Sequence, residues 1–132
     1  MTHGVKIDTP TRFDANRDTL GVGRTLQAEV FSAQPDPPVV VDGLSIGVAR
    51  MSQNSPHGGE MHPDGDEFLY LTKGRVRVVF ESPEFADIDL EPGDGLVVPR
   101  GVWHRVDILE PSEIVYATPG PGGEYRPVGY AP

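Results

Sequence analysis

Glu60, His62, Glu67 and His104 are the residues of this 132-residue chain whose types and spacing could do chemistry together. Side chains two apart on a strand leave the same face, roughly 6 to 7 Å from one another, which joins Glu60 to His62. Glu67 is in phase with Leu69 and Leu71. His104 is in phase with Val106 and Ile108, which Arg105 and Asp107 oppose, so both polar side chains aim at an apolar interior. An unpaired buried carboxylate costs on the order of several kcal/mol. A divalent cation shared by two carboxylates and two imidazoles removes that cost, is formally neutral, and leaves coordination positions open for water or substrate. A metal-free network, with Glu67 accepting from His62 and His104, satisfies the same groups and is the alternative. His57 is a second candidate for the first ligand. It stands five residues before His62, out of phase for an uninterrupted strand, but Gly58-Gly59 could supply a bulge that restores the phase. His3, in a polar stretch, reads as solvated.

Bringing these four groups to one point requires short strands and tight reversals. Sixteen glycines and fourteen prolines punctuate the chain without forming tracts, which points to an all-β sandwich or barrel. Five stretches alternate as half-buried strands: Leu44 to Val48, Val76 to Phe80, Ile88 to Leu90, Leu96 to Val98, and Val106 to Ile108. Lys73-Gly74, Pro92-Gly93-Asp94-Gly95 and Pro99-Arg100-Gly101 are the turns expected between them, giving a meander of hairpins. Residues 1–26 lack a clear period and read as an extended arm, with a short strand around Leu26 to Phe31. Ala33 to Pro38 is a linker or turn, because its three prolines remove ladder donors. The barrel domain is expected over residues 27–118, and the Pro/Gly-rich residues 119–132 as an ordered coil or loose tail. Phe68-Leu69-Tyr70-Leu71 is apolar on both faces and needs a cover on both. One cover is the interior; a second copy is expected as the other, making a homodimer, with the N-terminal arm as the alternative.

Composition narrows the function. The chain has no cysteine, which excludes disulfides, thiolate metal sites and cysteine nucleophiles. Twenty acidic against eleven basic residues leave a net charge of −9, a balance that repels phosphate backbones and anionic lipid. Nucleic-acid and membrane roles are not expected. With no long apolar run and no basic leader segment, the expectation is a cytoplasmic protein without a span or signal peptide.

Two spacings resemble a known family. His62, four residues, Glu67, six residues and Gly74 resemble the second half of the first cupin motif. Gly93, five residues, Pro99-x-Gly101, two residues and His104 resemble the second, and the likeness covers residues 43–115. The resemblance implies a double-stranded β-helix, a jelly-roll barrel with the metal in its mouth. Glu60 departs from the family pattern, which has a histidine there. The exchange hardens the donor set and favours oxygen-loving ions over Cu²⁺; Mn²⁺, Fe²⁺, Ni²⁺ and Zn²⁺ are the expected candidates. A metal-dependent enzyme of dioxygenase, isomerase or lyase type, acting on a small organic molecule, is the leading expectation, with Glu67 or Glu60 as the general base. A non-catalytic binding or sensing module and a metal-stabilised structural barrel are the other readings. An open pocket floored by the site favours catalysis, and a lumen filled with Leu and Val favours structure. Arg50 and Tyr116 are candidates for reaching the lumen, although surface or core packing is the ordinary role of each. Asp64 and Asp66 read as turn residues, Trp103 as packing away from the site, and Arg100 as a solvated turn tip.

Overall fold

Strands form wherever the short apolar stretches fall. The computed structural model describes residues 4–32 and 40–130; His3 and the expected Ala33 to Pro38 linker lie outside them. In chain order the strands are β1 (Val5–Lys6), β2 (Thr19–Gly23), β3 (Ala28–Phe31), β4 (Gly43–Met51), β5 (Gly59–Met61), β6 (Glu67–Phe80), β7 (Ile88–Leu90), β8 (Gly95–Val98), β9 (His104–Gly120) and β10 (Glu124–Arg126). No helix of the described residues is long and apolar enough to cross a membrane.

All pairing is antiparallel, and β9 is its hub. Its C-terminal half pairs β4, from Met51↔Ser112 to Gly43↔Gly120. Its first residue, His104, pairs Glu60 of β5, and β6 runs beside nearly its whole length, from Phe80↔His104 to Phe68↔Ala117. β6 also carries β7 and β8. These partners are distant in sequence, so the architecture is a double-stranded β-helix and not a meander of hairpins. Two segments read as irregular add strands of their own. In the expected arm, β1 pairs with β3 and β2 with β3 and β4; in the expected tail, β10 pairs with β5.

Glycine at position 74 bends a strand instead of reversing it. β6 continues through Gly74 with register shifts against β9 between Leu71 and Val76, the signature of a bulge that bends one strand of a pair. Gly74 sits at φ +84°, and a Cβ there would overlap the Pro111 carbonyl oxygen, so only glycine fits. The two other expected turns hold, with Gly93 and Gly101 at φ +97° and +79°.

The core gathers Leu69, Leu71, Val76, Val78, Leu90, Val98 and Ile114. Alternation along β6 separates its faces. Glu67, Leu69 and Leu71 are buried, whereas Phe68 and Tyr70 remain 48% and 49% exposed. In β4 the orientation is the reverse of what residue size suggests. Ser45 and Ala49 line the interior cavity, and Gly47 lies beneath the Tyr116 ring. Leu44, Ile46 and Val48 therefore take the outer face, and the small residues leave the lumen open.

Candidate functional site

Strand ends deliver the four candidate ligands to one end of the barrel. Glu60 is the middle residue of β5, and directly across from it His104 opens β9. His62 follows β5 by one residue, and its carbonyl accepts from the Gly101 backbone N–H at 3.0 Å, which ties the turn before β9 to the end of β5. Glu67 is the first residue of β6 and shares the buried face of Leu69 and Leu71. Each residue offers one ligand atom, and the four atoms lie within 4.8 Å of one another. His62, Glu67 and His104 are buried, and Glu60 is partly so.

The hydrogen bonds fix the chemistry of each group. His104 Nδ1 lies 3.0 Å from the Val102 carbonyl oxygen. A carbonyl can only accept, so Nδ1 carries the hydrogen and Nε2 is turned to the site. Nε2 lies 2.9 Å from Glu67 Oε1 and 3.5 Å from Glu60 Oε1. Thr118 Oγ1 donates to the other Glu67 oxygen at 2.7 Å. His62 Nε2 comes within 3.3 Å of Glu67 Oε2 and 3.7 Å of Glu60 Oε2. Those distances allow charge attraction without aligned hydrogen bonds, and both His62 ring nitrogens are buried with no hydrogen-bond partner.

Opposed effects set the protonation of the cluster. Burial disfavours the Glu60 carboxylate, but the attraction of the His104 and His62 rings that face it outweighs burial and holds the pKa down at about 2. Glu67 is likewise lowered against its burial by the two histidines. Burial disfavours both imidazoliums, and the carboxylates overcome it, pushing His62 up to about 9 and His104 up to about 10. Without an ion, the four groups are two carboxylates facing two imidazoliums.

A divalent cation fits this arrangement. The His62 nitrogens are buried polar atoms in want of a partner, an arrangement that costs about 1–3 kcal/mol when left unsatisfied. A neutral His104 would otherwise present an Nε2 lone pair to a carboxylate at 2.9 Å. A cation between the imidazoles and carboxylates relieves both. The Val102 carbonyl and Thr118 hydroxyl brace His104 and Glu67 from behind, as the outer partners of metal ligands do.

A cavity of about 330 Å³ opens onto the two glutamates. Leu69, Val106 and Ile114 form part of its wall, and the hydroxyl-bearing residues Ser45, Tyr116 and Thr118 also line it. Tyr116 thus reaches the lumen. Arg50 does not: it is exposed, 2.8 Å from Glu113 Oε2, because it shares the outward phase of Val48. His57 is not part of the cluster; its ring packs on Tyr125 at 5.1 Å between centroids. Asp64 and Asp66 brace turns, accepting from the Gly122 and Arg100 backbone N–H groups. Trp103 packs under the Arg126 guanidinium at 3.8 Å.

Tyr125 is one of the cavity residues that sequence reasoning missed, with Ser45 and Thr118. It sits in β10 directly opposite Glu60 and lines the cavity. Burial, reinforced by the charges of Glu60 and Glu67, raises its pKa. Arg126 anchors this strand, bonded to Glu81 at 3.0 Å and stacked between Trp103 and Tyr130.

Comparison with known proteins places this geometry in context. A family model described as "Cupin domain" matches residues 48–117. The homogentisate 1,2-dioxygenase of Pseudomonas fluorescens is 29% identical over 105 residues, a match covering 69% of this chain and 24% of that enzyme. The chain therefore spans about a quarter of the length of this curated relative. Among solved structures, a cupin-2 domain protein from Shewanella frigidimarina aligns with a TM-score of 0.51 at 21% identity, covering 62% of this chain and 76% of that one. The DMSP lyase DddQ of Ruegeria pomeroyi aligns at 0.55 and 20% identity, covering 70% and 48%. At these identities the two structures speak for the fold alone.

Proposed function

This chain belongs to the cupin family, and from that premise we propose that it is a metal-dependent enzyme acting on a small organic molecule, with Glu60, His62, Glu67 and His104 holding a divalent ion (Mn²⁺, Fe²⁺, Ni²⁺ or Zn²⁺). The observation that carries this reading is the open cavity of about 330 Å³ onto which Glu60 and Glu67 face. A barrel with a purely structural ion has no use for an unfilled lumen beside it. When bound, the ion would polarise a substrate oxygen as a Lewis acid. The chain's own residues would do the rest. His104, oriented by Val102, and His62 hold their neutral nitrogens toward the centre. Glu67 keeps one oxygen engaged with Thr118. Glu60, which has no such brace and faces the cavity, is the better placed of the two carboxylates to leave the ion and accept a proton from substrate. Leu69, Val106 and Ile114 exclude water around the reacting atoms.

The reaction belongs to the dioxygenase, isomerase or lyase class. Homogentisate 1,2-dioxygenase among the relatives supports the dioxygenase part of that range. The test is metal analysis of the chain purified without added metal, followed by a panel of small organic substrates with and without oxygen. A near-stoichiometric ion and turnover of a panel member are expected; an ion-free chain that takes up none of the four metals overturns the reading.

The same reading includes a homodimer in the cytoplasm. Phe68, Tyr70 and Val97 are 48%, 49% and 51% exposed, and Phe68 pairs directly with Val97 and with Ala117. On a chain of net charge −9, this uncharged face is where two copies approach with least repulsion.

A further inference from the structure

Charge distribution around the cavity bears on what can enter it. Among the described residues, no lysine or arginine lines the cavity, whereas Glu60 and Glu67 both do. The nearby arginines are committed elsewhere: Arg50 to Glu113, Arg105 to Asp107 and Arg126 to Glu81. If a divalent ion binds as proposed above, the two glutamates cancel its charge in full. Nothing in the cavity is then left to attract an anion, and a carboxylate arriving at the ion would stand beside two others. The remaining polar lining is uncharged. Ser45 stands opposite Thr118 in the β4–β9 register; Thr118 donates its hydroxyl hydrogen to Glu67 and keeps its lone pairs, and Tyr116 lines the same space with its hydroxyl against Gly47. Hydroxyls both donate and accept, which suits substrate hydroxyl and carbonyl groups. Leu69, Val106 and Ile114 offer an apolar bed, and about 330 Å³ is at the small end of ligand pockets, near the size of a single substituted ring.

We propose that this cavity takes an uncharged molecule with hydroxyl and carbonyl oxygens on an apolar body, and discriminates against carboxylate anions of the same shape. The inference rests on the metal reading above and narrows its substrate class.

Salicylamide and salicylate test it, being nearly identical in shape and differing in charge near neutral pH. The full chain is first titrated with Zn²⁺, which is redox-inert and lets binding be read apart from turnover, and each compound is then titrated into the loaded chain by calorimetry. Salicylamide should bind tighter by on the order of tenfold or more, and added salt should strengthen salicylate binding while leaving salicylamide unchanged. Ala49→Lys, which brings a cation to the cavity wall, should raise salicylate affinity and narrow or reverse the preference. Where that variant fails to fold, the salt dependence of the unaltered chain decides. Equal or tighter binding of salicylate, or binding of neither compound to a zinc-loaded chain, overturns this inference and leaves the metal site standing. A chain that takes up no zinc in the first titration is titrated in turn with Mn²⁺, Fe²⁺ and Ni²⁺, and failure with all four overturns the metal reading together with this inference.

Discussion

His104 Nε2 lies 2.9 Å from Glu67 Oε1 while its other ring nitrogen is already committed to the Val102 carbonyl. With Nδ1 donating, Nε2 has two states compatible with a carboxylate at that distance: protonated, or bound to a cation. On the proposed reading, metal binding and protonation would compete at His104, and removing it should disable the site. His104→Ala is expected to lower divalent-ion affinity by at least about a hundredfold with an unchanged β-sheet circular dichroism spectrum. Affinity measured by competition with a metal-sensitive dye checks this. Glu60→Ala should weaken binding too and His57→Ala should not, since His57 lies against Tyr125 outside the cluster.

The pH dependence of the ion-free chain follows from the same four groups. Folding raises His62 and His104 from 6.5 to about 9 and about 10. Their contribution to stability is complete below pH 6.5 and is lost as pH rises through those higher values. Folding lowers Glu60 from 4.5 to about 2, so its contribution is complete above pH 4.5 and is lost as pH falls toward 2. The ion-free chain should therefore melt highest between pH 4.5 and 6.5. Saturating metal needs neutral imidazoles, so it should restore stability on the alkaline side and release protons on binding near pH 7. Melting curves with chelator and with ion, and calorimetry in two buffers of different ionisation enthalpy, measure both effects. A chelated chain that melts higher at pH 9 than at pH 6 contradicts the assignment.

At Gly74 the fold depends on a single missing side chain. The positive φ and the overlap a Cβ would make with the Pro111 carbonyl act together, so Gly74→Ala should destabilise by about 1–3 kcal/mol. The melting temperature should fall by roughly 5 °C or more. The bend sets the direction of the β6 segment that begins at Glu67, so metal affinity should fall as well, although position 74 touches no ligand.

Phase arithmetic located Glu60, His62, Glu67 and His104 because a strand's alternation is a local property and each of these residues adjoins or lies in a strand that shows it. What depends on a distant partner was not legible. Alternation in β4 says that two faces differ but not which is inside. Leu44, Ile46 and Val48 turned outward because the Tyr116 ring takes the space above Gly47. Lys73-Gly74 has the composition of a reversal; only the strand alongside makes it a bulge. Tyr125 lies in a stretch rich in glycine and proline, where β10 forms because β5 offers it an edge and Arg126 pins it to Trp103 and Glu81. The alternation Glu124-Tyr125-Arg126 was the one local sign of it.

The outer face of β6 carries the last prediction. Phe68 and Tyr70 project from it beside Val97, and half-exposed aromatic residues at the centre of an uncharged patch are the usual anchors of a protein interface. Sedimentation at micromolar concentration should give twice 14.3 kDa for the unaltered chain. Tyr70→Lys places a charge at the proposed contact without touching the buried face of the strand, and should return the mass to 14.3 kDa while metal affinity stays unchanged, because Glu67 points to the opposite face. A monomeric unaltered chain would refute the dimer. A Tyr70→Lys chain that stays dimeric would move the interface to another part of the barrel.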